Sequence, residues 1–268
     1  MALPESIRYR ILGPVQTRSA DGTWQDFRQD KWRTLLAVLL VRSNHVVPCD
    51  ELVRQLWPEE APGSQRKLVQ QYVHRLRRSL DDPAGEVLRT RPAGYELRVS
   101  PGELDVDRFD ALCADGRRAL ATAAYEEAMA HFGQAMALWR GTAMADVGNA
   151  PAVAAERIRM TERRLAATEL WLRAGLACGR HDVLIPELEC LVVAYPLRER
   201  FRELLMTALY ETGRRADALS VARHLRCLLR EELGIDPGAE IQRLERTILL
   251  GEDVDLSLLR PLAVPTDS

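Results

Sequence analysis

At 268 residues, with 47% hydrophobic and 28% charged side chains and a formal net charge of −2, the chain has the composition of a globular protein with room for two cores. It holds no run of 18 apolar residues and no apolar signal region after Met1, so no membrane partner and no secretion are expected, and a cytoplasmic location is. Cys49, Cys113, Cys178, Cys190 and Cys227 show no CxxC spacing, and His45, His74, His131, His181 and His224 form no cluster with them, so neither a metal, a disulfide framework nor a cofactor is expected.

Charge is unevenly spread. Residues 1–98 hold 16 Lys and Arg against 12 Asp and Glu, and the remainder 21 against 27, so only the first part suits a polyanion. Ile7, Tyr9 and Ile11 alternate with Arg8 and Arg10, the period of a half-buried strand. Gly13-Pro14 turns the chain into a second run, Val15 to Arg18, and Asp21-Gly22 predicts a hairpin whose return strand carries Trp24 and Phe27. Asp30 is placed to cap a helix through Arg42, with Leu35, Leu36, Leu39 and Leu40 inward and Ser43-Asn44 as its stop. A shorter helix is expected over Cys49–Trp57, with Leu52, Val53, Leu56 and Trp57 inward; Pro48 fits either before or inside its first turn. Pro58 and Pro62-Gly63 then break the chain.

The next stretch, Lys67 to Leu80, reads KLVQQYVHRLRRSL. At about 100° per residue, Val69, Tyr72, Val73, Leu76 and Leu80 form one stripe roughly 100° wide, the width of a core-facing surface. The other faces carry Lys67, Gln70, Gln71, His74, Arg75, Arg77 and Arg78, with no acidic residue from Gln65 to Leu80. A uniformly positive field suits phosphate, and Arg and Gln are the side chains that read guanine and adenine edges bidentately. A solvated basic face without a ligand has the same composition; the flanking pattern favours DNA. Asp81-Asp82-Pro83 and Gly85 end the helix, and Val87–Arg91 and Tyr95–Val99 flank a Pro92-Ala93-Gly94 turn. Strand, three helices and a hairpin is the order of a winged helix. Arg89 and Arg91 fall where a wing meets sugar-phosphate backbone or minor groove, hairpin solubility being their other use. Gln71, His74 and Arg75 are expected at base edges and Arg77 and Arg78 mainly on phosphate, with Arg75 and Arg78 exchanging if the helix tilts.

Ser100-Pro101-Gly102 reads as a boundary, giving domains 1–100 and 101–251 and a patternless tail, 252–268. Amphipathic helices are predicted around Phe109–Leu112, from Ala128 to Trp139, and over Arg157–Leu176, Pro186–Tyr195, Arg198–Tyr210, Ala216–Leu233 and Ala239–Leu250. Gly179-Arg180-His181 recurs as Gly213-Arg214-Arg215, a spacing of 34 residues, which is the tetratricopeptide period; an irregular helical bundle is the other reading.

The segments IRYRILGPV, DKWRTLLAVLL, ELVRQLWPEEAP, LVQQYVHRLRRSL, RPAGYEL, ALWRG, YPLRERFRELLMTALYETGR and EELGIDPGAE follow one another across residues 7–250. Together they resemble the Streptomyces antibiotic regulatory protein (SARP) family. The resemblance implies a mainly α chain: an OmpR-type winged helix (α+β) followed by an all-α, tetratricopeptide-like bacterial transcriptional activator domain. It implies a transcription activator of an antibiotic or other secondary-metabolite gene cluster. Such a protein binds direct repeats in double-stranded promoter DNA as a pair of protomers and recruits RNA polymerase holoenzyme. The family's recognition helix falls on Lys67–Leu80 and its wing on Val87–Val99. No GxxxxGK[ST] loop is present, so no nucleotide-binding domain is expected, nor a phosphopeptide-reading domain in the tail or a phosphoacceptor domain before residue 7. Control then rests on expression level, a partner or a ligand.

Two other function classes compete. A helical-repeat scaffold would bind protein partners and use the basic helix only for solubility; retention of residues 1–100 on a DNA column separates the two. An enzyme needs a nucleophile, a base and an orienting group together, and the sequence groups none, so no catalytic residues are expected.

Overall fold

The computed structural model of the protein describes residues 6–254. Over that span the chain packs as two compact units, 6–112 with 134–165 and 113–133 with 166–254. The expected tail at 255–268 lies outside the described residues.

The first unit opens with three short antiparallel strands, β1 (Tyr9–Arg10), β2 (Gln16–Arg18) and β3 (Trp24–Asp26), in that order across the sheet. The period-two pattern holds, since Ile7, Tyr9 and Ile11 are buried while Arg8 and Arg10 are half-buried. Trp24 stays out of the core: the Arg10 guanidinium covers it, 3.5 Å from the ring centroid. Phe27, just past the strand, is the buried aromatic.

Helix α1 (Asp30–Val41) buries Leu35, Leu36, Leu39 and Leu40. Asp30 is not its cap. Gln29 holds that position without a side-chain bond, and Asp30, the first helical residue, pairs with Arg33 at 3.1 Å. After α1, Asn44 takes φ 63°, a left-handed conformation that asparagine tolerates. Its amide accepts the Val99 N–H at 3.1 Å and donates to the Val99 carbonyl at 2.9 Å. Pro48 precedes α2 (Cys49–Leu56) as its N-cap, where a missing N–H costs nothing. Leu52, Val53 and Leu56 face inward, and Trp57 is half-buried. Helix α3 (Gln65–Ser79) starts two residues before the stretch that periodicity marks. The hairpin of β5 (Leu88–Arg91) and β6 (Gly94–Leu97) gains a third strand, β4 (Val47–Pro48), in the order β4-β6-β5. Only glycine fits at 94, because a Cβ there would stand 2.0 Å from the Val47 carbonyl oxygen. α1, α2 and α3 pack on one another, and α1 on β6: a winged helix.

Residues much further along the chain complete this unit. Asp105, the first residue of α4 (Asp105–Ala121), accepts the N–H groups of Ile11 and Leu12 at 3.0 Å. Burial pushes its carboxyl up to about 6 against the pull of those two N–H groups. The Arg140 N–H donates to Leu12 O and its guanidinium to Pro14 O, both at 2.8 Å. Gly13, at φ 150°, lets the segment carrying Arg140 pass; a Cβ there would lie 2.8 Å from the Arg140 Cβ. Asp146 accepts the Val15 N–H at 2.9 Å and pairs with Arg33 at 3.3 Å. Gln55 of α2 accepts the Ala152 N–H at 2.8 Å.

The partition between the units falls inside α4, α5 (Tyr125–Met136) and α6 (Pro151–Ala177). In the second unit α7 (His181–Ala194) pairs with α8 (Glu199–Glu211), α8 with α9 (Arg215–Leu233), and α10 (Ala239–Leu250) packs on α8 and α9. The 34-residue spacing is structural. Gly179 and Gly213 both take φ above 70°, their N–H groups bond to Leu176 O and Tyr210 O at 2.9 Å, and the following Arg180 and Arg214 N–H groups reach back to Gly175 O and Leu209 O. Each is the same glycine helix stop, and buried Leu184 and Leu188 on α7 recur as buried Ala218 and Ala222 on α9. α7 begins at His181 rather than at Pro186. The proline forfeits one bond and strands only the carbonyl of Asp182, an exposed residue. Among the described residues no helix is long and apolar enough to cross a membrane.

Candidate nucleic-acid interface

Helix α3 buries Val69, Val73 and Leu76. Tyr72 is half-buried and packs at a tilt on Trp57, ring centroids 6.2 Å apart. Lys67, Gln70, Gln71, His74, Arg75 and Arg78 are all exposed. The fold therefore presents one polar, cationic face opposite the buried stripe, as 3.6-residue periodicity dictates. Among the described residues, no carboxylate pairs with Lys67, Arg75 or Arg78. Arg75 lies over the Trp32 ring of α1, 4.8 Å from its centroid, a cation–π contact that restricts where the guanidinium points.

Arg77 has a different position from its neighbours. It is half-buried, and its Nε and Nη2 donate to the Leu88 carbonyl at 2.9 and 2.7 Å, with Nη2 also 2.9 Å from Thr90 Oγ1. Its guanidinium is thus a strut between α3 and β5 rather than a side chain held out for phosphate. Buried Asp82 completes the joint: one carboxylate oxygen accepts Glu86 N–H at 2.7 Å, the other accepts Val87 and Leu88 N–H at 3.1 and 2.7 Å. The wing is pinned to the helix at both its first strand and its preceding turn.

On the wing, Arg89 is half-buried and donates to Glu86 O at 2.8 Å. Arg91 pairs with Glu96 at 2.6 Å, and Arg98 meets the other Glu96 oxygen at 3.2 Å. The Arg91 guanidinium first, then that of Arg98, holds the Glu96 carboxyl below the usual carboxylate range. Two arginines against one carboxylate leave the wing with net positive charge. Arg98 escaped the sequence reading, although period-two spacing puts it on the same strand face as Glu96. Trp32 escaped it too, and only the packing of α1 beside α3 brings it under Arg75. At the other end of α3, Arg66 is paired with Asp50 of α2 at 2.8 Å. Among the described residues no group of three His, Cys, Asp or Glu side chains is placed to hold a metal ion.

Comparison with known proteins agrees with this geometry. Residues 29–97 match the family model described as "Transcriptional regulatory protein, C terminal", and residues 104–249, over half of the chain, match "Bacterial transcriptional activator domain". Regulatory protein DnrI of Streptomyces peucetius is 34% identical over 251 residues, covering 91% of this chain and 92% of DnrI. Regulatory protein AfsR of Streptomyces griseus is 34% identical over 98% of this chain, which spans only 26% of AfsR. The solved structure of Mycobacterium tuberculosis EmbR in complex with a low-affinity phosphopeptide superposes with a TM-score of 0.88 at 32% identity, over 94% of this chain and 67% of EmbR.

Proposed function

Because the chain belongs to the Streptomyces antibiotic regulatory protein family of transcriptional activators, we propose that it binds direct repeats in promoter DNA through α3 and the wing. Bound as a pair of protomers in the cytoplasm, it recruits RNA polymerase holoenzyme to a biosynthetic gene cluster, in keeping with antibiotic or other secondary-metabolite synthesis. The observation that carries this reading is the exposed face of α3, where Gln71, His74 and Arg75 lie between Lys67 and Arg78 without counter-charge. The first three read base edges; Lys67 and Arg78 hold phosphate, as do Arg89 and Arg91 on the wing, where Arg91 shares the Glu96 carboxylate with Arg98 and so keeps part of its field; Gln70 lies on a flank of the helix. Arg77 positions the wing. Residues 1–100 carry recognition, residues 101–251 activation and assembly.

The test is a binding-site selection with the full chain and with Gln71→Ala, His74→Ala and Arg75→Ala. Each is expected to lose about 1–3 kcal/mol of specific affinity and to relax preference at one or two base pairs. Unchanged base preference in all three variants would mean that α3 does not read sequence.

A further inference from the structure

A helix with apolar side chains on two opposite faces has both to cover, and α7 covers only one. Leu184, Ile185 and Leu188 are buried, whereas Val183 and Val193 are 77% and 81% exposed. Pro186 and Cys190 are exposed beside them. At about 100° per residue these four side chains span about 80° of the helix surface, opposite the buried stripe. Asp182 and Glu189 border that seam on one side and Glu187 on the other. No Lys or Arg occurs from His181 to Leu197, and among the described residues none of the three acids has an ion-pair partner. Elsewhere in this unit Glu126, Glu169, Glu203, Asp217 and Glu245 each hold an arginine.

We infer that this seam docks an amphipathic helix of a partner protein whose apolar stripe is bordered by Lys or Arg. Symmetry argues against a second copy of the chain as the occupant. A two-fold axis perpendicular to α7 sets each acidic edge against itself, and an axis parallel to α7 sets it against the other acidic edge. Both arrangements bring like charges together across the interface, which costs affinity. A basic-edged helix neutralises both edges. One face of about four helical turns buries less than the roughly 1,000 Å² of a stable interface, so the contact is weak and reversible. Such a contact gains strength when DNA holds both proteins at high local concentration.

The test uses the full chain without DNA, so its outcome is independent of base reading. Three labelled synthetic helices share one leucine seam and carry Lys, Gln or Glu borders, and their binding is read by fluorescence anisotropy. The Lys-bordered helix is expected to bind at least ~10-fold tighter than the Glu-bordered one. The double variant Glu187→Lys, Glu189→Lys should reverse that order, and Val193→Ser should weaken the Lys-bordered helix several-fold. All three positions are exposed, so circular dichroism should show an unchanged fold. Equal affinity for the three helices, or an order that the double variant leaves intact, would overturn the inference. Self-association in sedimentation equilibrium that Val193→Ser abolishes would overturn it in favour of a second copy.

Discussion

Helix α3 and the helices of the second unit use the same cations in opposite ways. In the second unit Arg200 lies between Glu169 and Glu203 at 3.0 and 2.7 Å, Arg226 pairs with Glu245, and Arg230 with Asp236 at 2.8 Å. On α3, Lys67, Arg75 and Arg78 meet no carboxylate among the described residues. Counting basic residues therefore does not locate a polyanion site. Paired arginines have spent their field on a neighbour, whereas a run without acids on the next turn or the next element projects it outward. The net charge of −2 conceals both situations.

The most direct way to break this difference is to convert α3 into a helix of the second kind. Gln71→Glu and His74→Glu place acids four residues before Arg75 and Arg78, the favourable order for helical ion pairs. The double variant is expected to fold with equal or slightly higher helix stability and to lose at least ~100-fold in DNA affinity in a gel-shift titration; retained affinity would show that counter-charge is irrelevant there. Arg77→Ala tests the strut: loss of its bonds to Leu88 and Thr90 should cost about 1.5–3 kcal/mol in urea denaturation. Arg77→Lys should fail to restore it, because a single ammonium cannot reproduce the guanidinium fork. Arg78→Ala should flatten the log–log salt dependence of DNA binding by about 0.9 while base preference stays the same. In the second unit, a double-mutant cycle on Arg226 and Glu245 is expected to return about 1 kcal/mol or less, with DNA affinity unchanged. A change in DNA affinity there would mean that the paired cations also serve the polyanion.

Much of this architecture was legible in the sequence because it rests on local periodicity. The stripe Val69, Val73, Leu76 and Leu80 named the inward side of α3 and thereby its exposed side, and the repeated Gly-Arg at 179 and 213 marked two equivalent helix stops. Less legible was whatever depends on distant partners. β4 is two residues long and exists only because β6 pairs with it. Asp30 reads as a cap by its neighbours in sequence, yet Arg33 takes its carboxylate. Arg77 and Arg78 are chemically identical in sequence, yet the Leu88 carbonyl holds Arg77 half-buried while Arg78 stays exposed. The turn at Ser100-Pro101-Gly102 is a sequence break, but the first compact unit continues to residue 112 and takes in 134–165.

That long reach sets a timetable for synthesis. The Val15 N–H waits for a carboxylate 131 residues further on, which at ~5–20 residues per second is roughly 7–26 s of translation. The Ile11 N–H waits for one 94 residues on. Helix α3 is complete at Ser79, while the Val15 N–H still lacks the carboxylate of Asp146. A nascent chain that stalls before Asp146 carries α3 on an unfinished frame. The first unit is therefore complete only once the start of the region that matches the activator-domain model has been made.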